Sequence, residues 1–198
     1  MPSRKTILVL HLAGQYPLAG VVWQALHYLV GLRQLGHDVY YVEDSGAPPY
    51  DPRVKSIVED PTYNVSCLQQ TLERFGFGER WVYWDMASDT YFGHSRAQLD
   101  GWYEKADLIL NLCGASWPRA DRRRGGPLAY VQTDPVYEQI LASQGDQRMT
   151  EMLSAHDLRF TYGENLGSAD CPIPLGGFTW KTTRPPVVLD LWEPRIDP

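Results

Sequence analysis

The first apolar segment, Thr6 to Ala13 (TILVLHLA), shows no alternation of polar and apolar residues. Its branched or long apolar side chains follow one another almost without interruption. A half-exposed strand would carry a polar residue at every second position, so this run predicts a strand that helices cover on both faces. Strands of that kind are typical of parallel sheets in α/β proteins.

The next segment has the periodicity of a helix. From Val21 to Leu35 the apolar residues return at steps of three and four, which predicts one apolar helix face. Gly36 follows at the position where glycine commonly ends a helix. A second predicted strand, His37 to Asp44 (HDVYYVED), ends in two carboxylates. Residues 6–44 therefore predict a β-α-β unit, and the carboxyl ends of such strands line ligand crevices.

The alternation of strands and helices continues to residue 162. Apolar and aromatic runs predict strands at 81–85, 107–112, 127–132 and 158–162, and helical spacing predicts helices at 64–75, 95–106 and 135–143. The proline-rich stretch 46–60 predicts an irregular connection. Together these elements predict an α/β fold over residues 1–182: a Rossmann-like three-layer sandwich with a mainly parallel sheet and helices on both faces.

Composition excludes several classes of protein. A chain of 198 residues with 43% hydrophobic and 21% charged residues is typical of a soluble globular protein. The net charge of −6 argues against nucleic-acid binding, which needs clustered cations. Four arginines at 119–124 are interpreted as a solvated loop, with an anion contact as the alternative.

Two further absences in the sequence guide the interpretation. No stretch approaches the about 20 apolar residues of a membrane span, and the N-terminus has no signal-peptide cleavage pattern, so we expect a cytoplasmic protein. The three cysteines are too few and too widely spaced for a disulfide framework or a zinc site, so we expect no metal and interpret the cysteines as small buried or partly buried residues.

The turn after the first strand, Gly14 to Gly20 (GQYPLAG), matches neither G-x-G-x-x-G nor G-x-x-x-x-G-K-[ST]. We therefore expect no cofactor bound by this chain. The turn still precedes a helix, whose N-terminal N–H groups favour an anion or an oxygen-rich ligand. The alternative is that its glycines only turn the chain.

Several segments resemble a known family. ILVLHLAGQYPLAG, followed by LVGLRQLGHDVYYVED, resembles the N-terminal domain of GT-B glycosyltransferases, in which a G-H-x-V strand, here residues 36–39, follows the first loop and helix. The segments at 130–135 (YVQTDP), 162–167 (YGENLG) and 171–192 are similar to a group of bacterial glycosyltransferase-like proteins. Together they cover most of the chain.

The resemblance implies a two-domain architecture. The N-terminal domain would bind a small-molecule acceptor, and a C-terminal domain, absent here or supplied by a partner chain, would bind the nucleotide-sugar donor. Residues 183–198 would then be a linker and the first strand of that absent domain. In the alternative, the last apolar run, 186–192, adds a final strand to the first sheet.

The resemblance also assigns roles to individual residues. Many inverting enzymes of this kind use a histidine of the first loop as general base, but Gln15 stands about there, and an amide cannot take that proton. His11 lies within the predicted strand and is interpreted as a hydrogen-bonded core residue. Asp134, at a strand end before Pro135, is the candidate catalytic base, with a helix N-cap as the alternative role.

Acceptor-binding candidates come from two of the loops. They are Gly14 and Gln15 in the first loop and Glu164 and Asn165 between two glycines, where the last pair has turn capping as its alternative role. Aromatic residues near strand ends are candidates for stacking on an acceptor ring: Trp84, Tyr91, Phe92, Trp117 and Tyr137.

These observations support three hypotheses about function. The first is the acceptor-binding half of a GT-B glycosyltransferase. The second is a non-catalytic small-molecule-binding module, because Gln15 replaces the expected histidine and no donor domain is present. The third is a nucleotide-dependent oxidoreductase or transferase in which Glu43 or Asp44 binds a ribose.

Overall fold

The apolar runs form strands and the amphipathic segments form helices in the computed structural model, which describes residues 3–122 and 124–192. The strands are β1 (Thr6–Leu10), β2 (Asp38–Glu43), β3 (Tyr50–Asp51), β4 (Ser56–Ile57), β5 (Trp81–Asp85), β6 (Thr90–Phe92), β7 (Leu108–Leu112), β8 (Leu128–Gln132), β9 (Leu158–Thr161) and β10 (Lys181–Thr182). The helices are α1 (Ala19–Gln34), α2 (Thr62–Arg74), α3 (Arg96–Lys105), α4 (Tyr137–Ser143), α5 (Gln147–Ser154) and a 3-10 helix, Leu189–Leu191.

Eight of the strands form one sheet in the order β10-β9-β8-β7-β1-β2-β5-β6. Its neighbouring strands are parallel except for the β5–β6 hairpin, which confirms the predicted α/β fold with a mainly parallel sheet. In the centre, Val9 of β1 pairs with Tyr41 on one side and Leu110 on the other. The strand order reverses at β1, and a ligand crevice commonly lies beyond the carboxyl ends of the strands at such a reversal.

Helices cover both faces of the sheet, as predicted. Val9 belongs to a core with Leu29 of α1 and Leu68 of α2, whereas Leu8 belongs to a core with Leu99 of α3. Leu8 and Val9 are both 0% exposed. Successive side chains of β1 point to opposite faces of the sheet and enter two different cores. Residues 7–10 of the strand are therefore all apolar.

Several short elements differ from the sequence-based expectation. The stretch 46–60, predicted to be irregular, contains the β3–β4 hairpin, and β6, α5 and β10 were not predicted. Helix α5 is only eight residues long, and the side chain of Asp146 caps it by accepting from the backbone N–H of Met149 at 2.7 Å. Elements this short carry too few periodic positions to stand out in the sequence.

The last described segment packs on α1. The run 186–192 contains the 3-10 helix, and Val188 just before that helix is 7% exposed and donates its backbone N–H to Nδ1 of His27 at 3.0 Å. The alternative prediction that this run adds a strand to the first sheet is wrong: Pro186 has no N–H, and the N–H of Val188 donates to His27 of α1 instead of to a neighbouring strand. The predicted linker continues to residue 198, and its residues 193–198 lie outside the described residues.

Within residues 3–122 and 124–192, no helix is long and apolar enough to span a bilayer.

Candidate functional site

A buried carboxylate organises the first loop. Glu43, at the end of β2 and 2% exposed, accepts from the backbone N–H of Gly14 at 2.8 Å and from the hydroxyl of Tyr41 at 2.7 Å. The backbone N–H of Gln15 also donates to this carboxylate. Burial raises the pKa of Glu43 to about 7, and the three donors oppose that rise. Glu43 therefore binds the protein's own loop.

Asn64 of α2 fixes the same loop from the other side. Its amide Nδ2 donates to the carbonyl oxygen of Gly14 at 2.8 Å and to that of Tyr50 at 2.9 Å, and Asn64 is 0% exposed. A Cβ at position 14 would lie 2.9 Å from Oε2 of Glu43, whereas a Cβ at Gly20 would meet nothing within 4 Å. Gly14 is thus required by close packing, and Gly20 is not.

The helix that follows the first loop begins without a side-chain cap. Leu18 occupies the N-cap position of α1, no side chain among the described residues caps the first turn, and that turn contains no acidic residue. The side chain of Gln15 is also engaged, since its Nε2 donates to the carbonyl oxygen of Pro48 at 3.3 Å. The first turn of α1 therefore keeps unpaired N–H groups that suit an anion or an oxygen-rich ligand.

Asp44, directly after β2, lies beside the core that contains Leu8 and Leu99. Asp44 accepts from the hydroxyl of Tyr103 at 3.1 Å and from Oγ of Ser116 at 2.9 Å, and it lies 3.6 Å from Nε of Arg122. Asp44 is 3% exposed. Since Glu43 and Asp44 both bind the protein's own groups, neither is available to a ribose as the third hypothesis requires.

Arg122 also corrects the interpretation of the arginine cluster. It is 6% exposed and pairs with Asp44 and Asp100, so it is a core residue and not part of a solvated loop. Arg119 pairs with Asp121 and Arg124 with Asp157, and both of these arginines are more exposed. Arg123, the remaining member, lies outside the described residues.

His11 is a buried neutral residue. It is 1% exposed, and its Nε2 lies 2.8 Å from Oε1 of Gln24 on α1, so Nε2 carries the proton. Nδ1 has no hydrogen-bond partner among the described residues. Burial lowers the pKa of His11 to about 4. The predicted hydrogen-bonded core role is therefore confirmed for one of the two ring nitrogens.

A cleft of about 490 Å³ opens beyond the carboxyl ends of β7 and β8. Its walls come from the loop after β7, from Tyr130 of β8 and from α4 and α5. The lining residues are Cys113, Gly114, Trp117, Tyr130, Tyr137, Glu138, Leu141, Asp146, Arg148, Met149 and Met152. The volume suits a small organic molecule.

The floor of this cleft is a buried polar network. Glu138 accepts from the hydroxyl of Tyr130 at 2.9 Å and from the side-chain amide of Gln132. Gln132 and Gln139 exchange amide hydrogen bonds at 2.7 and 2.8 Å, and the hydroxyl of Thr161 donates to Gln132 at 2.6 Å. The network fixes the end of β8 against α4 and holds the Glu138 carboxylate in one orientation.

Unusual backbone conformations occur at two points beside the cleft. Cys113, directly after β7, has φ 49°, and Val136, directly before α4, has φ 98°. A positive φ is a strong outlier for a β-branched residue, and such strain costs about 1–3 kcal/mol and concentrates at functional sites. The N–H of Val136 donates to Oε1 of Gln139 at 2.9 Å, which ties this strained point to the polar network.

Cys113 is not an activated thiol. Burial, with smaller contributions from Glu138 and Glu43, raises the pKa of its thiol to about 12. A thiol with a raised pKa is a poor nucleophile. The structure thus agrees with the interpretation of Cys113 as a partly buried residue.

Two of the five predicted stacking residues line the cleft. Trp117 is 40% exposed and Tyr137 is 65% exposed, and the guanidinium of Arg148 lies 5.5 Å from the centre of the Trp117 ring. Trp84 and Tyr91 instead stack on each other, 6.0 Å apart, across the β5–β6 hairpin. Phe92 packs against the core formed with α1 and α2.

Asp134 lies exposed in the loop between β8 and α4. Its alternative role as the helix N-cap is wrong, because α4 begins at Tyr137 and Val136 occupies the N-cap position. The carbonyl oxygen of Val136 accepts from the N–H of Ile140 at 3.0 Å, and Gln139 bonds the N–H of Val136. Asp134 thus lies outside the helix, in the loop beyond the carboxyl end of β8.

The acceptor candidates of the last loop lie beside the Asp134 loop. A Cβ at Gly163 would lie 3.2 Å from Cβ of Pro135, so these two loops touch. Glu164 is exposed and forms a bidentate ion pair with Arg184 at 2.6 and 3.1 Å, while Asn165 is exposed.

The predicted site residues therefore form two groups. Asp134, Glu164 and Asn165 follow β8 and β9, and Gly14 and Gln15 follow β1, with β7 between the two groups. None of these five residues is among those that line the cleft, and Tyr130, Glu138 and Arg148, which do line it, were not predicted. Glu138 lies in the first turn of α4, and no motif marked it in the sequence.

Neither the comparison with protein-family models nor the search of curated protein sequences found a match. The functional interpretation therefore depends on the geometry of the site.

Proposed function

We propose that this chain is the acceptor-binding half of a GT-B type glycosyltransferase, with the acceptor in the cleft beyond β7 and β8. The observation that carries the proposal is that two exposed aromatic rings, Trp117 and Tyr137, line one cleft of about 490 Å³ together with the guanidinium of Arg148. Aromatic faces pack against apolar ring faces, and fixed polar groups orient a ligand. A small acceptor with a ring and hydroxyl groups fits this lining.

Asp134 is the proposed catalytic base. In the proposed reaction its carboxylate takes the proton of an acceptor hydroxyl while that oxygen bonds to the anomeric carbon of the donor. The bond between the anomeric carbon and the nucleotide phosphate oxygen breaks, and the nucleotide leaves with the electron pair. The support for Asp134 is its exposed position beside α4, where no helix cap engages it.

The remaining candidates would bind the acceptor or complete the enzyme. Gly14 and Gln15 border the unpaired first turn of α1, which suits an oxygen-rich group, and Glu164 and Asn165 would bind hydroxyls on the other side. The nucleotide-sugar donor would be bound by a C-terminal domain or a partner chain. Glu164 shares its carboxylate with Arg184, so we assign it acceptor binding and not proton transfer.

The test is glycosyl transfer by this chain in combination with a donor-binding domain, measured across a panel of nucleotide sugars. Asp134→Asn should lower kcat by about 10²- to 10⁴-fold, the usual contribution of a general base, with little change in the acceptor KM. Trp117→Ala should instead raise the acceptor KM. Glu104→Gln, an exposed carboxylate on α3, is the matched control. The absence of both glycosyl transfer and donor hydrolysis with every donor tested would refute the proposal.

The second candidate is a non-catalytic binding module. It is favoured by Gln15, whose amide cannot act as a base and whose side chain is bonded to the Pro48 carbonyl. In that case calorimetry with the isolated chain should show ligand binding that Asp134→Asn leaves unchanged and Trp117→Ala removes. A glycosyl transfer rate that depends on Asp134 would exclude it.

A further inference from the structure

A second cavity of about 490 Å³ lies between α1 and α2, on the face of the sheet that these two helices cover. Ala25 and Leu26 of α1 and Leu68 and Leu72 of α2 line it, each at most 4% exposed. These side chains are short or aliphatic and offer no hydrogen bond. The interior of the cavity therefore favours an apolar chain over a sugar.

Polar side chains of the lining lie towards the end of α2, where Gln70 is exposed and Thr71 is half-buried. Tyr41 also lines the cavity, but its hydroxyl is already engaged, donating to Glu43 and accepting from the N–H of Ala13 at 2.8 Å. Arg74, the last residue of α2, is exposed and is the one charged lining residue in the part of the chain that the structure describes. No acidic side chain lines the cavity among those residues.

Arg74 also lacks an ion pair within the described residues. Its guanidinium lies 6.0 Å from the centre of the Phe75 ring, the outer limit of a cation-π contact. Other arginines, such as Arg53 and Arg184, pair with carboxylates of the chain. A cation at the edge of an aliphatic cavity is complementary to an anion that carries an aliphatic chain.

We propose that the cavity between α1 and α2 binds an amphipathic anion, with its aliphatic chain between the two helices and its anionic head on Arg74. This site is separate from the cleft that contains Trp117 and Tyr137, because its lining residues belong to other elements. It does not depend on the proposed glycosyl transfer.

Chain length and head group test the two halves of the proposal separately. With hexanoate, octanoate and decanoate as probes, each methylene that enters the cavity should tighten binding to the chain by about fourfold, until the cavity is full. Decanol and decylamine have the same tail without the negative charge, and they should bind at least about tenfold more weakly than decanoate. Equal binding of decanoate, decanol and decylamine would overturn the role of Arg74.

Substitutions in the lining test whether decanoate binds in this cavity. Arg74→Gln should weaken decanoate binding about tenfold and leave decanol binding unchanged, because only the carboxylate uses the guanidinium. Glu73→Gln, a neighbouring exposed residue outside the lining, is the control. Thr71→Trp, at a half-buried lining position, should fill the cavity and weaken all probes. Decanoate binding that survives Thr71→Trp in a folded protein would overturn the proposed location.

A cysteine in the wall supplies a direct readout. Cys67 is partly buried and lines the cavity, whereas Cys171 lies in the segment after β9. Decanoate should slow maleimide alkylation of Cys67 and leave that of Cys171 unchanged, as measured by mass spectrometry of the two peptides. Equal protection of both thiols, or of neither, would contradict binding in this cavity. Asp134→Asn should leave the protection intact, which separates this result from the glycosyltransferase test.

Discussion

The backbone N–H of Gly14 donates to Oε2 of Glu43 across 2.8 Å, joining the loop after β1 to the end of β2. Glu43 is the last residue of β2, which lies next to β1 in the sheet, but Glu43 and Gly14 are 29 residues apart in the chain. The carboxylate thereby replaces water for the backbone of the loop. The N–H groups of Gly14 and Gln15 therefore already have a hydrogen-bond acceptor and do not need a bound phosphate.

The first prediction concerns Gly14 itself. A Cβ at this position would lie 2.9 Å from Oε2 of Glu43 and 3.0 Å from Cδ2 of Leu68, both in the packed interior. Gly14→Ala should therefore lower the free energy of unfolding by about 1–3 kcal/mol, the usual cost of overpacking. Urea unfolding measures the change. Gly20→Ala, where the Cβ meets nothing within 4 Å, is the control and should be neutral or slightly stabilising.

The second prediction concerns the acid side of the stability profile. The Nδ1–H of His156 donates to the carbonyl oxygen of Met152 at 2.7 Å, and its Nε2 accepts from the amide of Asn111 at 3.0 Å. This arrangement needs the neutral ring. Burial lowers the pKa of His156 to about 4.

Because the unfolded chain binds this proton near the ordinary histidine pKa, the stability due to His156 is present above about pH 6.5 and is lost as the pH falls towards 4. His156→Gln should flatten the fall in the free energy of unfolding over that range, measured by urea titrations at several pH values. His94→Gln, at a half-exposed position, is the control. An unchanged slope in the His156 variant would contradict the assignment.

The third prediction concerns the buried pair of Asp44 and Arg122. Asp44→Asn should cost about 3–5 kcal/mol of unfolding free energy, because it leaves a cation that is 6% exposed without one of its two carboxylates. Asp44→Asn combined with Arg122→Met should cost less than the sum of the two single changes. Lys5→Gln, which removes an exposed pair with Asp107, should cost at most about 1 kcal/mol. Additive costs at positions 44 and 122 would show that the two residues do not interact.

Local patterns accounted for the main elements of the fold. The unbroken apolar run of β1 and the three- and four-residue spacing of α1 each predicted an element that the structure contains. Gly36, predicted to end α1, has φ 90° there. Such patterns work because they reflect the environment of each residue within one strand or helix. They also placed the loops after β1, β7, β8 and β9 at one edge of the sheet.

The candidate site was predicted only in part. Trp117 and Tyr137 were expected near strand ends, but their meeting in one cleft with Glu138 and Arg148 depends on how α4 and α5 pack. Asp134 was placed on the correct edge, while its N-cap alternative failed because Gln139 supplies the bond to the start of α4. Contacts of this kind depend on how helices and loops pack, and the periodicity of a single strand or helix does not predict them.

The sequence by itself determined the β-α-β start, the mainly parallel sheet and the edge at which its loops collect, because these depend on hydrophobic periodicity within single elements. Only the tertiary structure decided that Glu43 and Asp44 bind the protein itself and that Arg122 is a core residue. Burial and pairing of a charge depend on residues far along the chain, as for Asp44 and Ser116, which are 72 positions apart. A carboxylate at a strand end has the same sequence signature whether it faces a ligand or its own fold.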